Sequence, residues 1–119
     1  MIGVDLVKIE RIKKAIERHG DAFTQKFLND SELNESKHIS SIAAKWAAKE
    51  AVSKALGCGI GAKLGFLDIE ICKDVSGAPY AVLSEKSSTI FGVKKIHISI
   101  THDGEYAVAA AFIYPPPTN

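Results

Sequence analysis

The sequence predicts an α+β domain, with helices gathered towards its N-terminal half and a largely antiparallel sheet towards its C-terminal half. Three observations carry that prediction. Before Gly57 apolar residues recur at helical spacing; after it they alternate with polar ones; and Gly- and Asp-containing turns separate the late alternating runs. With 119 residues the chain reads as one domain over 1–114, with 115–119 (PPPTN ends the chain) as an exposed tail. A chain of this size buries roughly two-thirds of its unfolded surface, so one core forms and an oligomer interface would add to it.

The elements follow in order. In MIGVDLV, Ile2, Val4 and Leu6 alternate with Gly3, Asp5 and Val7, the period of a strand, and this reading points Asp5 away from the main apolar face. From Lys8 to His19, Ile9, Ile12 and Ile16 recur as on a helix that Gly20 closes. DAFTQKFL suits a short helix, with Phe23 and Phe27 four apart, and NDSELNESKHISS holds another short helix and a connection. One long helix then ends at Gly57. LGFLDIEIC sets Leu67, Ile69 and Ile71 against Asp68 and Glu70; DVSG (74–77) is a turn and APYAVLS a second strand. SEKSSTIFG suits a short helix closed by Gly92. Ile96, Ile98 and Ile100 then alternate on one strand and Tyr106, Val108, Ala110 and Phe112 on the next, with His102, Asp103 and Gly104 turning between them.

Composition excludes several classes. A formal charge of +1 argues against holding nucleic acid by overall charge. Cys58 and Cys72 are the only cysteines and form no CxxC, so they read as reduced thiols, and the four histidines lack zinc-site spacing. No apolar run approaches the roughly 20 residues of a membrane span, and the N-terminus lacks the features of a signal peptide. A soluble, cytoplasmic protein is expected.

The long helix raises the functional question. In WAAKEAVSKALG (46–57), Trp46, Glu50, Ser53, Lys54 and Gly57 fall in one sector, with Ala44, Ala47, Ala48, Ala51, Val52 and Ala55 forming a stripe behind it. Alone, Glu50 and Lys54 are an (i, i+4) pair worth about 0.2–0.5 kcal/mol on any exposed helix. Trp46 alone is a packing anchor, Gly57 a helix terminus and Asp5 a turn carboxylate. Lys49 suits a solvated or interface position.

Taken together they are more specific. IGVDLVKIERI (2–12), KWAAKEAVSKALGCGIG (45–61) and HISITHDGEYAVAAAF (97–112) resemble, in order and spacing, the three motif blocks of the acyl-carrier-protein synthases, the short 4′-phosphopantetheinyl transferases. The blocks cover about a third of the chain. Two departures are visible: Lys45 stands where the family commonly has Arg, and Thr101 where Ser often precedes the His. The first would turn a bidentate phosphate contact into a single-point one.

The resemblance implies a 4′-phosphopantetheinyl transferase fold and transfer of the phosphopantetheine arm of coenzyme A to a serine of apo acyl carrier protein. The chemistry of the residues agrees. Mg²⁺ is usually held by one or two carboxylates plus substrate phosphate oxygens and waters, which Asp5 and Glu50 suit, while Lys54 sets a point charge on a phosphate. These three are the expected catalytic set, with Asp5 and Glu50 as the metal ligands. The base is Glu50, directly or through a metal-bound water, or by its chemistry His102. The resemblance instead gives His102 and Thr101 to the nucleotide end of coenzyme A, with Lys45 also on the substrate; Ser53, in the sector of Glu50, and Gly57, which opens the Gly-rich GCGIG (57–61), are further substrate-binding candidates. Ser53 has a second use, bonding its own helix backbone.

The first helix bears on the partner. Between Lys8 and Arg18 it carries five basic and two acidic residues, a net of +3 in an almost neutral chain. Arg11, Lys14 and Arg18 share the face opposite Ile9, Ile12 and Ile16. Carrier proteins are acidic, and the resemblance implies that this face docks them. It also implies a homotrimer with sites between subunits. A different carrier, or a non-catalytic module that binds coenzyme A or carrier protein, is the alternative.

Overall fold

Alternation in residues 2–8 produces strand β1 (Ile2–Lys8), which passes directly into helix α1 (Ile9–His19). The computed structural model describes residues 1–114; the proposed tail at 115–119 lies outside the described residues. Short helices α2 (Asp21–Thr24) and α3 (Asp30–Glu35) lead to the long α4 (Ile39–Ala55). A 3₁₀ turn (Phe66–Asp68), β2 (Ile69–Lys73), β3 (Pro79–Leu83), α5 (Glu85–Phe91), β4 (Lys95–His102) and β5 (Tyr106–Phe112) follow. The strands form an antiparallel sheet in the order β1-β5-β4-β3-β2. Among the described residues no helix is long and apolar enough to cross a membrane.

Local chemistry sets the element ends. Asn29 caps α3: its side chain accepts from the Glu32 N–H while Glu32 accepts from the Asn29 N–H, the reciprocal pair that satisfies two free amides of a helix start. Ser84 caps α5, and Gly57, at φ +76°, follows α4 in the left-handed conformation that suits glycine. Asp74 holds the β2–β3 turn by accepting from the Ser76 and Ala78 amides.

Register decides which face is the core, and here the structure corrects the sequence reading. The row Gly3, Asp5, Val7 faces α4, whereas Ile2, Val4 and Leu6 are 68%, 53% and 59% exposed on the outer face. On β5 the inner row is Ala107, Ala109 and Ala111, all buried, while Tyr106 and Phe112 face outwards. The physical reason is size. Alanines and a glycine let the strands approach α4, where bulky residues would hold it away. Leu67 is also displaced from its expected strand: it lies in the 3₁₀ turn and is exposed.

The tightest contact is at Gly3. A Cβ there would collide with the backbone of α4, at the Ala51 carbonyl oxygen and the Ala55 amide nitrogen. The alanine stripe of α4 (Ala44, Ala47, Ala48, Ala51, Ala55) is buried against β1, β5 and β4, as its spacing predicts. The opposite side of α4 is also largely covered. Trp46 joins Phe23, Phe27 and Phe66 in an aromatic cluster with ring centroids 4.8–6.1 Å apart.

Lys49 is fully buried, not solvated. Its ammonium donates to Glu32 Oε1 at 2.8 Å and to the carbonyls of Phe27 and Phe66, and Glu32 Oε2 accepts from the Ile71 amide at 2.7 Å. This pair ties α3, the segment after α2, the 3₁₀ turn and β2 to α4. Burial lowers the Lys49 pKa, opposed by Glu32. Such a pair adds little over an apolar filling, but removing one partner costs about 3–5 kcal/mol.

Gly3→Ala forces β1 and α4 apart. Overpacking of this kind costs about 1–3 kcal/mol, so the melting temperature should fall by several degrees. A variant melting with the wild type would contradict the contact.

Candidate active site

The contact at Gly3 sets Asp5, two residues on, beside the last turns of α4. Lys54 donates to Asp5 Oδ1 at 2.8 Å and to the Val4 carbonyl at 3.2 Å. The Lys54 side chain is 52% exposed and that of Asp5 14%. Glu50, one turn before Lys54, is half-buried on the same side. Burial raises the Glu50 pKa most; the Asp5 carboxylate raises it further, while Lys54 and Arg11 lower it. Asp5, Glu50 and Lys54 therefore form one electrostatic group, with Arg11 of α1 at its edge.

The donor set fits a hard divalent cation. Two carboxylates that disfavour each other's charge are what a cation relieves, and they leave most of an octahedral shell to water and substrate oxygens. Among the described residues no group of three or more His, Cys, Asp or Glu side chains could hold a metal ion by itself.

His102 belongs elsewhere. It pairs with Ala107, opposite Val7, on the helix-facing side of the sheet but two strands from β1, about 10 Å sideways by strand spacing. There it lines a second cavity of about 200 Å³ with Lys45, Lys73, Glu35, Ser41 and Ile100. Lys45 is 8% exposed, and its pKa is lowered first by burial and also by Lys73, against the pull of Glu32 and Glu35. This second site holds lysines and a histidine facing one recess, a chemistry suited to an anion. Lys73 was detectable in the sequence, because the alternation that turns Ile69 and Ile71 inwards turns Lys73 inwards too.

The other expected residues divide. Thr101 pairs with Val108 across from Leu6, so it lies on the outer face, opposite to His102. Ser53 is fully buried and its hydroxyl donates to the Glu50 carbonyl at 2.7 Å, the backbone use foreseen for it. Gly57 is exposed at the end of α4. Arg11, Lys14 and Arg18 line, with Lys8, Glu10 and His19, a groove of about 420 Å³ along α1. Arg11 thus borders both this groove and the carboxylates.

The 4′-phosphopantetheinyl transferase superfamily model matches residues 1–111. The chain belongs to that superfamily. It is 51% identical over 113 residues to the holo-[acyl-carrier-protein] synthase of Campylobacter fetus, covering 95% of this chain and 98% of that one. It is 47% identical over 112 residues to the synthase of a Sulfurovum species, with 94% of each chain covered. Among solved structures, the Helicobacter pylori holo-[acyl-carrier-protein] synthase in complex with coenzyme A superposes with a TM-score of 0.90 at 42% identity, over 94% of this chain and 98% of that one. A Bacillus anthracis synthase, solved with coenzyme A (3′,5′-ADP), gives 0.76 at 36% identity, over 92% and 91%. The chain is accordingly an enzyme of the phosphopantetheinyl transferase class, and the antiparallel α+β architecture is that of these synthases.

Because folding raises the Glu50 pKa, its charged form costs stability wherever the pH exceeds the ordinary carboxylate range. Glu50→Gln should therefore raise the melting temperature at neutral pH in EDTA, and the gain should shrink as the pH falls and the wild type protonates. A lower melting temperature at neutral pH would contradict this.

Proposed function

We propose that the chain transfers the 4′-phosphopantetheine moiety of coenzyme A to a serine of apo acyl carrier protein, with Mg²⁺, releasing adenosine 3′,5′-bisphosphate. The reaction primes fatty acid biosynthesis in the cytoplasm. The single observation that carries this reading is the meeting of Asp5, Glu50 and Lys54 at the β1–α4 contact, in a chain that matches the superfamily over residues 1–111.

Asp5 and Glu50 are the residues that hold Mg²⁺, and the bound ion supplies Lewis acidity and a template for the diphosphate. The remaining work falls to the chain's own groups. The carrier serine oxygen attacks the β-phosphorus, the bond to the oxygen bridging the two phosphates breaks, and the bisphosphate leaves with that electron pair. Glu50, directly or through a metal-bound water, is the base for the serine proton, because it stands beside Asp5 and Lys54 whereas His102 lines the second cavity. Lys54 neutralises charge developing on the phosphates.

Lys45 and His102, with Lys73, suit the nucleotide end of coenzyme A. Gly57, at the exposed end of α4, and Thr101, from the outer face of the sheet, are further contacts for the substrate, and Ser53 supports it by fixing the Glu50 turn. The basic groove of Arg11, Lys14 and Arg18 receives the acidic carrier beside the carboxylates, which orients the serine for attack.

A homotrimer accounts for the outer face of the sheet. Ile2, Val4, Leu6 and Phe112 are all exposed there on neighbouring positions of β1 and β5, an apolar patch that a second copy of the chain would cover. Thr101 sits in the same layer, so a partner subunit would bring it into use.

Intact mass of apo acyl carrier protein after incubation with the enzyme, coenzyme A and Mg²⁺ tests the function. A phosphopantetheine-sized gain is expected, lost in EDTA. In the same assay an Arg11→Glu/Arg18→Glu variant should raise the KM for carrier far more than that for coenzyme A. No gain on several carriers, with coenzyme A still bound, would instead indicate a non-catalytic binding module.

A further inference from the structure

The ion pair between Lys54 and Asp5 has a consequence for the order of binding. Asp5 is a carboxylate proposed for the metal, yet its Oδ1 accepts from the Lys54 ammonium at 2.8 Å, and the same ammonium donates to the Val4 carbonyl at 3.2 Å. The Asp5 side chain is 14% exposed, so few approaches to that carboxylate remain. A divalent cation and an ammonium held on the same carboxylate repel each other at short range, so the ammonium on Oδ1 weakens the hold of Asp5 on a cation. Lys54, by contrast, is half-exposed on a flexible four-carbon stem at the last turn of α4, and it can swing without disturbing the helix.

We propose that Lys54 is an exchangeable counter-ion: it guards Asp5 until the diphosphate of coenzyme A draws it away, so that metal and coenzyme A bind synergistically. This inference rests on the proposed reading of Asp5 and Glu50 as metal ligands. No proton moves in the exchange; the ammonium breaks its bonds to Asp5 and Val4 and forms equivalent ones to phosphate oxygens. Asp5, released from the ammonium, would then be free to hold the metal together with Glu50. Each ligand lowers the cost of the other, and linkage requires the two effects to be equal. The same residue in this way serves as the stand-in cation of one state and the phosphate contact of the next.

The test is calorimetric and needs no turnover. Mn²⁺ is titrated into the full-length protein with and without coenzyme A, for the wild type, Lys54→Met, Lys54→Arg, Asp5→Asn and Glu50→Gln. In the wild type, coenzyme A should tighten Mn²⁺ binding strongly. Lys54→Met should bind Mn²⁺ alone about tenfold more tightly than wild type, within the range typical of coupled sites, and the tightening by coenzyme A should shrink at least about fivefold. Lys54→Arg, which keeps a cation on Asp5, should behave as the wild type does. Mn²⁺ binding by Lys54→Met no tighter than wild type overturns the exchange. So does tighter binding with coupling of wild-type size, which marks simple loss of a positive charge. Asp5→Asn and Glu50→Gln separate this from the underlying reading: if both still bind Mn²⁺ as the wild type does, the metal assignment itself fails.

Discussion

The close approach of β1 to α4 fixes where strand and helix carry their charged groups. It exists because Gly3 has no side chain and because the helix presents Ala51 and Ala55 to it. The alanines of β5 extend the same thin layer beneath the helix. A thicker layer would carry Asp5 away from Lys54, since both are fixed to elements whose spacing these small residues set. The small residues of the chain thus do more than fill a core. They bring an acidic strand position and a charged helical turn within hydrogen-bond distance.

The second requirement is that α4 be held from its other side. The Lys49–Glu32 pair and the aromatic cluster around Trp46 do this, one by directional bonds and the other by contact area. The two devices differ in kind. Aromatic packing tolerates small shifts, whereas a buried ammonium with three acceptors admits one arrangement of α3, β2 and the 3₁₀ turn. One end of α4 borders the recess of Lys45 and His102, and the other carries Glu50 and Lys54. A single rigid helix therefore fixes the separation of the two charged regions, which suits a substrate with phosphates along its length.

Much of this was legible in the sequence, and the failures share one cause. Strand alternation located β1, β4 and β5, and glycines marked the ends of α1, α4 and α5. Alternation could not say which row is inside. Ile2, Val4 and Leu6 are the larger and more apolar row of β1, yet the row of Gly3 and Val7 is buried. Bulk is a guide to the core only where the space is wide; beneath α4 it is narrow. Lys49 was misjudged for a related reason, because its acceptors come from Phe27, Glu32 and Phe66, none of which is a local neighbour on the helix. The grouping of Glu35 with Lys45 likewise depends on how α3 meets the long helix, whereas strand alternation alone put Lys73 on the inner row of β2.

We infer that Asp5 and Glu50, brought from strand and helix by the Gly3 contact, act as one unit. A double-mutant cycle on kcat/KM for phosphopantetheine transfer separates joint from independent action, using Asp5→Asn, Glu50→Gln and the two combined. Groups that act together are strongly non-additive, so the double variant should be about as slow as the slower single variant. Losses that multiply would show that the two carboxylates contribute independently.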